Sequence, residues 1–152
     1  MTDARFKRVE RCSSAEHTGW LELRDALWPQ SRDVHLAEMA AIAAEPQRLA
    51  AFVAYADTGG ALGLAEAAIR ADYVNGAQSS PVGFLEGLYV VPHARRKGVA
   101  RALVVEIGRW ARDCGCSELA SDAALANTAS HAVHRALGFE ETERVVFFRR
   151  PL

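Results

Sequence analysis

No stretch of this 152-residue chain is apolar over the length that a membrane-crossing helix needs. The charged start, Met1-Thr-Asp-Ala-Arg-Phe-Lys-Arg8, lacks the apolar segment of a secretion signal. A formal net charge of −1 removes any general attraction to nucleic acid or anionic membrane. The cysteines are three, an odd number, and Cys114-Gly-Cys116 is neither a redox C-x-x-C nor a zinc pair with visible partner ligands. Gly-x-Gly-x-x-Gly is missing, and Lys97 precedes Gly98 where a P-loop carries Gly-Lys-Ser/Thr. No linker, repeat or low-complexity segment divides the chain. These absences leave a cytoplasmic protein with reduced thiols, no metal, no nucleic-acid partner and no membrane, folded as a single domain over residues 1–152. Half the residues are hydrophobic, enough at this length to bury a core without staples.

What is present is concentrated in one stretch, Phe84-Leu-Glu-Gly-Leu-Tyr-Val-Val-Pro92-His-Ala-Arg95-Arg-Lys-Gly98-Val-Ala100-Arg101. Phe84 to Val91 has the length and composition of a strand, and Pro92 ends ladder pairing. Val99, Leu103, Ile107 and Trp110 then recur at helical spacing. A strand thus delivers the chain to a helix N-terminus, where unpaired N–H groups favour an anion. Arg95, Arg96, Lys97 and Arg101 add charge, and Gly98 admits phosphate oxygens close to the backbone; a solvated basic turn is the alternative.

Elsewhere the pattern predicts a strand at Phe6–Val9 and a helix opened by a Ser13-x-x-Glu16 capping box and closed at Trp28-Pro29. A second helix is expected over about His35–Ala44, then a hairpin of Leu49–Tyr55 and Leu62–Ile69 around Asp57–Gly60. Ala71–Gly83 reads as a loop. A short strand at Glu118–Ser121, a helix over about Asn127–Leu137 and a final strand over about Thr142–Arg149 complete an α+β, three-layer plan.

Period-two alternation puts Phe84, Glu86, Leu88 and Val90 on one strand face. Glu86 there is a cleft carboxylate or the partner of a neighbouring Arg. Asp122 follows a strand end, where a carboxylate points into a ligand crevice or initiates a turn. Asn127 suits an N-cap. His134 on its helix is a candidate acid near neutral pH or an exposed residue without a role.

The spacing Arg95-Arg96-Lys97-Gly98-Val99-Ala100, with Asn127 and Leu137-Gly138-Phe139 downstream, resembles the acyl-CoA loop of the GNAT N-acetyltransferase superfamily. Leu27-Trp28-Pro29, Asp72-Tyr73-Val74-Asn75-Gly76, Phe84-Leu-Glu-Gly87, Ala120-Ser-Asp122 and Gly138-Phe-Glu-Glu-Thr-Glu-Arg144 narrow it further. Together they resemble the chromosomal bacterial aminoglycoside 6′-N-acetyltransferases over nearly the whole chain from about Leu23. The resemblance implies the GNAT fold, a mixed central sheet with helices on both faces. It implies acetyl-CoA as donor, the 6′-amine of an aminoglycoside antibiotic as acceptor, and a homodimer with sites close to the subunit interface.

By the same resemblance Leu88, Tyr89, Val90, the run Arg95, Arg96, Lys97, Gly98, Val99, Ala100 and Arg101, and Asn127 hold the coenzyme. The backbone at Leu88 polarises the thioester. Trp28, Tyr73, Glu86, Asp122 and Glu143 line the acceptor site, and Tyr73 can reach it from a partner subunit. Asp122, then Glu86, is the candidate base. His134 occupies the place where many GNAT enzymes carry a tyrosine acid. Another polyamine or a protein amine as acceptor, or an acyl-CoA sensor without turnover, are the rival readings, and fold alone does not separate them.

Overall fold

The structure, a computed structural model, describes residues 4–152; the first three residues of the charged start lie outside it. Five strands form one sheet in the order β1 (Phe6–Arg11), β2 (Leu49–Ala56), β3 (Ala61–Arg70), β4 (Val82–Val90), β5 (Leu119–Ser121). The first three pairings are antiparallel and β4–β5 is parallel, so the sheet is mixed.

β2 is buried on both faces because its alternate residues feed two cores. Ala50, Phe52, Ala54 and Ala56 meet α3 (Val99–Asp113), through Val99, Leu103, Ile107 and Trp110. Ala51, Val53 and Tyr55 meet α1 (Trp20–Leu27) and α2 (Arg32–Ala44), through Trp20, Leu23 and Met39. Helices therefore cover both sheet faces, and α4 (Thr128–Ala136) follows β5.

Three expectations are corrected. The Ser13-x-x-Glu16 box does not start α1; Ser14 Oγ accepts from Glu16 N in a separate turn, and the helix begins after Gly19 at φ 83°. Gly19 lies so close to Ala61 that a Cβ would overlap it, so tertiary contact sets this boundary. The segment predicted as a final strand over Thr142–Arg149 enters no ladder and is exposed throughout. Its β-favouring residues meet no strand edge within the chain, and propensity without a partner makes no strand.

The third correction concerns β4. Glu66 pairs with Gly87 but Ala67 pairs with Leu85, so Glu86 is the extra residue of a β-bulge. Alternation slips by one there, and Phe84 faces away from the α3 core while Leu88 and Val90 pack on it. Phe84 and Leu88 consequently do not share a face.

Candidate active site

β4 pairs with β5 only through Leu85↔Ser121, yet it continues to Val90. One edge of Glu86–Val90 is therefore left without a strand partner, which leaves backbone groups there, apart from the Val90 carbonyl that Arg95 occupies, to meet a ligand. Leu88, Tyr89 and Val90 are half-buried along this opening.

At the far end of β4 the chain turns through Pro92–Ala94 into α3. The first intrahelical bond of α3 is Ala102 N to Gly98 O, and no side chain caps the helix. The amides of Val99, Ala100 and Arg101 are thus the orphan donors of a helix N-terminus. Gly98 at φ 84° has open space where a Cβ would stand, so an anion can approach these donors closely. Arg96 is exposed at φ 61°, the left-handed region. The flanking arginines each donate to a backbone carbonyl. Arg95 Nε donates to Val90 O at 2.9 Å, and Arg101 Nη2 donates to Ala136 O at 2.9 Å, joining α3 to the end of α4.

The near end of the opening is stitched by polar groups. Ser121 Oγ donates to Leu85 O at 3.2 Å and lies 2.8 Å from His134 Nε2. His134 Nδ1 is 2.7 Å from Ser130 O, an acceptor, so Nδ1 carries a proton. Asp122 follows immediately, exposed, where β4 and β5 part. Asn127 accepts from Ser130 N at 3.1 Å and is the N-cap of α4, as its type suggests.

Across the sheet from α3, Trp28 lies on Gly87: a Cβ at that glycine would overlap the indole. Glu86 Oε1 accepts from Arg70 Nη2 at 2.8 Å, and the Arg70 guanidinium lies 3.6 Å from the centroid of Phe84. Glu86 thus has the neighbouring arginine that the sequence allowed, and remains exposed. Val74 packs with Phe84 and Val82, anchoring the 71–81 loop that displays Tyr73, 80% exposed. Gly76 of that loop meets Thr142 so closely that a Cβ would collide with it, which places Glu143 beside the loop. The loop is held from below by Glu118, which accepts from Gln78 N at 2.8 Å and Ser79 N at 2.6 Å. The Ser79 side-chain and backbone hydrogen bonds hold the Glu118 carboxyl below its ordinary range.

Two open surface hollows of about 390 and 400 Å³ lie elsewhere, one between Arg8, His17 and Tyr55, the other between α1, Tyr89 and Val91. Neither is lined by Trp28, Glu86 or Asp122. The cysteines supply no nucleophile here: burial pushes all three thiols up, against the thiolate form. Among the described residues no His, Cys, Asp or Glu cluster could hold a metal.

Sequence reasoning missed two features. Ser121 and His134 meet only because α4 folds back on β5. Glu66, a lone carboxylate in the apolar run of β3, carries the same signal that singled out Glu86, and it is buried against Arg24.

Known proteins share this architecture. A profile described as the acetyltransferase (GNAT) family matches residues 20–139. An aminoglycoside N(6′)-acetyltransferase type 1 of Acinetobacter baumannii is 51% identical over 138 residues, covering 91% of this chain and 94% of that protein. One from Stenotrophomonas maltophilia is 49% identical over 144 residues, covering 95% and 93%. The crystal structure of AAC(6′)-Ih from Acinetobacter baumannii superposes with a TM-score of 0.91 at 48% identity, covering 95% of this chain and 98% of that one. AAC(6′)-Iy in complex with the bisubstrate analogue CoA-S-monomethyl-acetylneamine gives 0.86 at 47% identity, covering 96% and 100%. With about half its residues shared over nearly its full length, and the same fold, this chain belongs to the aminoglycoside N(6′)-acetyltransferases of the GNAT family.

Proposed function

We propose that this protein transfers the acetyl group of acetyl-CoA to the 6′-amine of aminoglycosides by direct attack of the amine on the thioester. The observation that carries the reading is the unpaired edge of β4 at Glu86–Val90, with an anion-ready helix N-terminus at one end and carboxylates at the other. Pyrophosphate suits the α3 amides beside Gly98, with Arg96 and Lys97 adding positive charge. Pantetheine extends along Leu88, Tyr89 and Val90 as a substitute strand, and the Leu88 backbone N–H meets the thioester oxygen as charge develops there. Asn127, the N-cap of α4, is assigned to the pantetheine arm by the family resemblance.

The acceptor is a polycation, and the proposed wall for it is acidic and aromatic. Glu86, Asp122 and Glu143 supply opposite charge; Trp28 and Tyr73 supply flat faces for sugar rings and ammonium groups. An ammonium cannot attack, so Asp122 accepts its proton directly or through water. The amine nitrogen then bonds to the carbonyl carbon, the C–S bond breaks, and the proton that the nitrogen sheds on becoming an amide passes, directly or through water, to the departing thiolate. His134, already on Ser121 at the parting of the strands, is close to this path.

A cytoplasmic homodimer is part of the same proposal. Val145–Phe148 is an apolar segment of strand composition with Phe147 85% and Phe148 92% exposed. A second copy is the occupant best suited to cover it, because the segment begins at Thr142 and Glu143 beside the acceptor loop, and two-fold pairing would bring two acceptor sites to one interface.

Thiol release from acetyl-CoA across aminoglycosides with and without a 6′-amine tests the function. Release only with the 6′-amines is expected. Release confined to simple polyamines or peptides would overturn the acceptor, and coenzyme binding without release to any amine would favour a sensor.

A further inference from the structure

Glu66 is 4% exposed beneath α1, where a carboxylate is costly unless its oxygens are bonded and its charge is matched. One helix supplies both. Trp20 Nε1 donates to Oε1 at 2.8 Å, Arg24 Nε donates to the same oxygen at 2.6 Å, and Arg24 Nη2 reaches Oε2 at 3.1 Å. The third guanidinium nitrogen turns to α2, donating to Glu38 Oε2 at 2.7 Å and to His35 Nδ1 at 3.1 Å. Gln30 Nε2 also faces His35 Nδ1, so that nitrogen is the bare one and Nε2 donates to Asp25 at 3.2 Å. Arg24, 5% exposed, has every nitrogen engaged.

Trp20 and Arg24 are four residues apart, and the next step of that stripe is Trp28. Trp28 N donates to Arg24 O at 2.7 Å, ending the helix, and the Arg24 guanidinium carbon lies 5.3 Å from the Trp28 ring centroid. The stripe meets one cross-strand pair. Glu66 bonds Trp20 and Arg24, and its register partner Gly87 receives the Trp28 indole, one residue from the Glu86 bulge.

We propose that the Arg24–Glu66 pair is a positioning device for the acceptor wall, fixing the height and rotation of α1 so that Trp28 lies on Gly87 beside Glu86. The proposal rests on the acceptor role given to Trp28 above. Apolar residues of similar volume would hold α1 at least as stably, since buried ion pairs gain little over them. They would not direct it, whereas a two-pronged carboxylate–guanidinium contact sets orientation as well as distance. Neither residue touches substrate; both act through Trp28.

Steady-state kinetics of the full chain with acetyl-CoA and kanamycin A, alongside melting curves, test this in four variants. Arg24→Met/Glu66→Gln removes the ion pair, leaves no charge buried and keeps an oxygen to accept from Trp20 Nε1. Arg24→Lys keeps the charge and loses the fork. Trp28→Ala removes the group being positioned, and the triple variant combines it with the double. The double variant is expected to melt close to the parent and to leave the acetyl-CoA KM within about twofold, while the kanamycin KM rises about tenfold. Arg24→Lys should shift the kanamycin KM the same way by a smaller factor. The triple should be no worse than Trp28→Ala alone, because effects acting through one group do not add. A kanamycin KM within twofold of the parent in the folded double overturns the proposal; if the double does not fold, an unchanged kanamycin KM in Arg24→Lys does so. If Trp28→Ala itself leaves the kanamycin KM unchanged, the acceptor role of Trp28 is what fails.

Discussion

Gly87 shows how one missing methyl shapes the candidate acceptor site. Its backbone sits under the Trp28 indole, and any Cβ would force ring and strand apart. Gly87→Ala should therefore cost about 1–3 kcal/mol in overpacking and lower kcat/KM for aminoglycosides more than tenfold, with acetyl-CoA KM nearly unchanged. A crystal structure of the variant with Trp28 displaced would confirm the cause; normal acceptor kinetics would refute it. Asp122 is the proposed base. Asp122→Asn keeps shape and loses charge, and should reduce kcat/KM for aminoglycosides by roughly 10²-fold while acetyl-CoA binding is preserved. If Glu86→Gln abolishes turnover and Asp122→Asn does not, the two carboxylates exchange roles. Both were visible in the sequence as carboxylates interrupting or ending apolar strands. The β-bulge was not, because a strand's period-two pattern contains no mark of the extra residue until its neighbour Glu66 is known.

At the level of elements, the start of α3 and the 71–81 loop control the two ends of the opening. Gly98→Val places a β-branched residue at φ 84°, a strain of about 1–2 kcal/mol, and fills the space beside the orphan amides. The acetyl-CoA KM should rise at least tenfold in that variant, with aminoglycoside KM little affected; the reverse split would move the pyrophosphate elsewhere. The loop depends on Glu118. Its carboxyl is held below the ordinary value of 4.5 by hydrogen bonds from Ser79 and Gln78, so it ionises more readily folded than unfolded. That contribution is complete above the unfolded value and is lost as pH falls through the lower folded one. Glu118→Gln should lower the melting temperature slightly at neutral pH and leave it unchanged in acid below the folded value. Amide exchange at Gln78 and Ser79 should accelerate in wild type only under acid, and in Glu118→Gln already at neutral pH; equal protection in the two proteins at neutral pH would exclude this anchor. Each helix core and all five strands were legible in the sequence, which also predicted a sixth strand that does not form. The start of α1 was not, because close contact with Ala61 outweighs a local capping signal.

For the molecule as a whole, the proposed dimer rests on the exposed Val145–Phe148 segment. Phe147→Ser/Phe148→Ser should convert a dimer to a monomer by light scattering and lower specific activity, more so on dilution. An unchanged dimeric mass would assign the interface to another surface, and a monomeric parent would remove the dimer from the proposal. The composition of this segment predicted a strand, and in the single chain it forms none. Its isolation in the single chain is a fact of topology: β5 spans only Leu119–Ser121, and its pairing with β4 ends at Leu85.

The sequence by itself determined the alternation of helices and strands and the basic turn that opens α3, because these are local matters of spacing, turn chemistry and apolar period; the family and the candidate site residues came through the resemblance of its motifs. Tertiary structure alone decided the bulge at Glu86, the bed that Gly87 makes for Trp28, the buried Arg24–Glu66 contact, and the diversion of Arg95 and Arg101 to backbone carbonyls. Each of these joins residues distant in the chain or shifts one strand against another. Burial and register are properties of the pair, and no single segment encodes its partner.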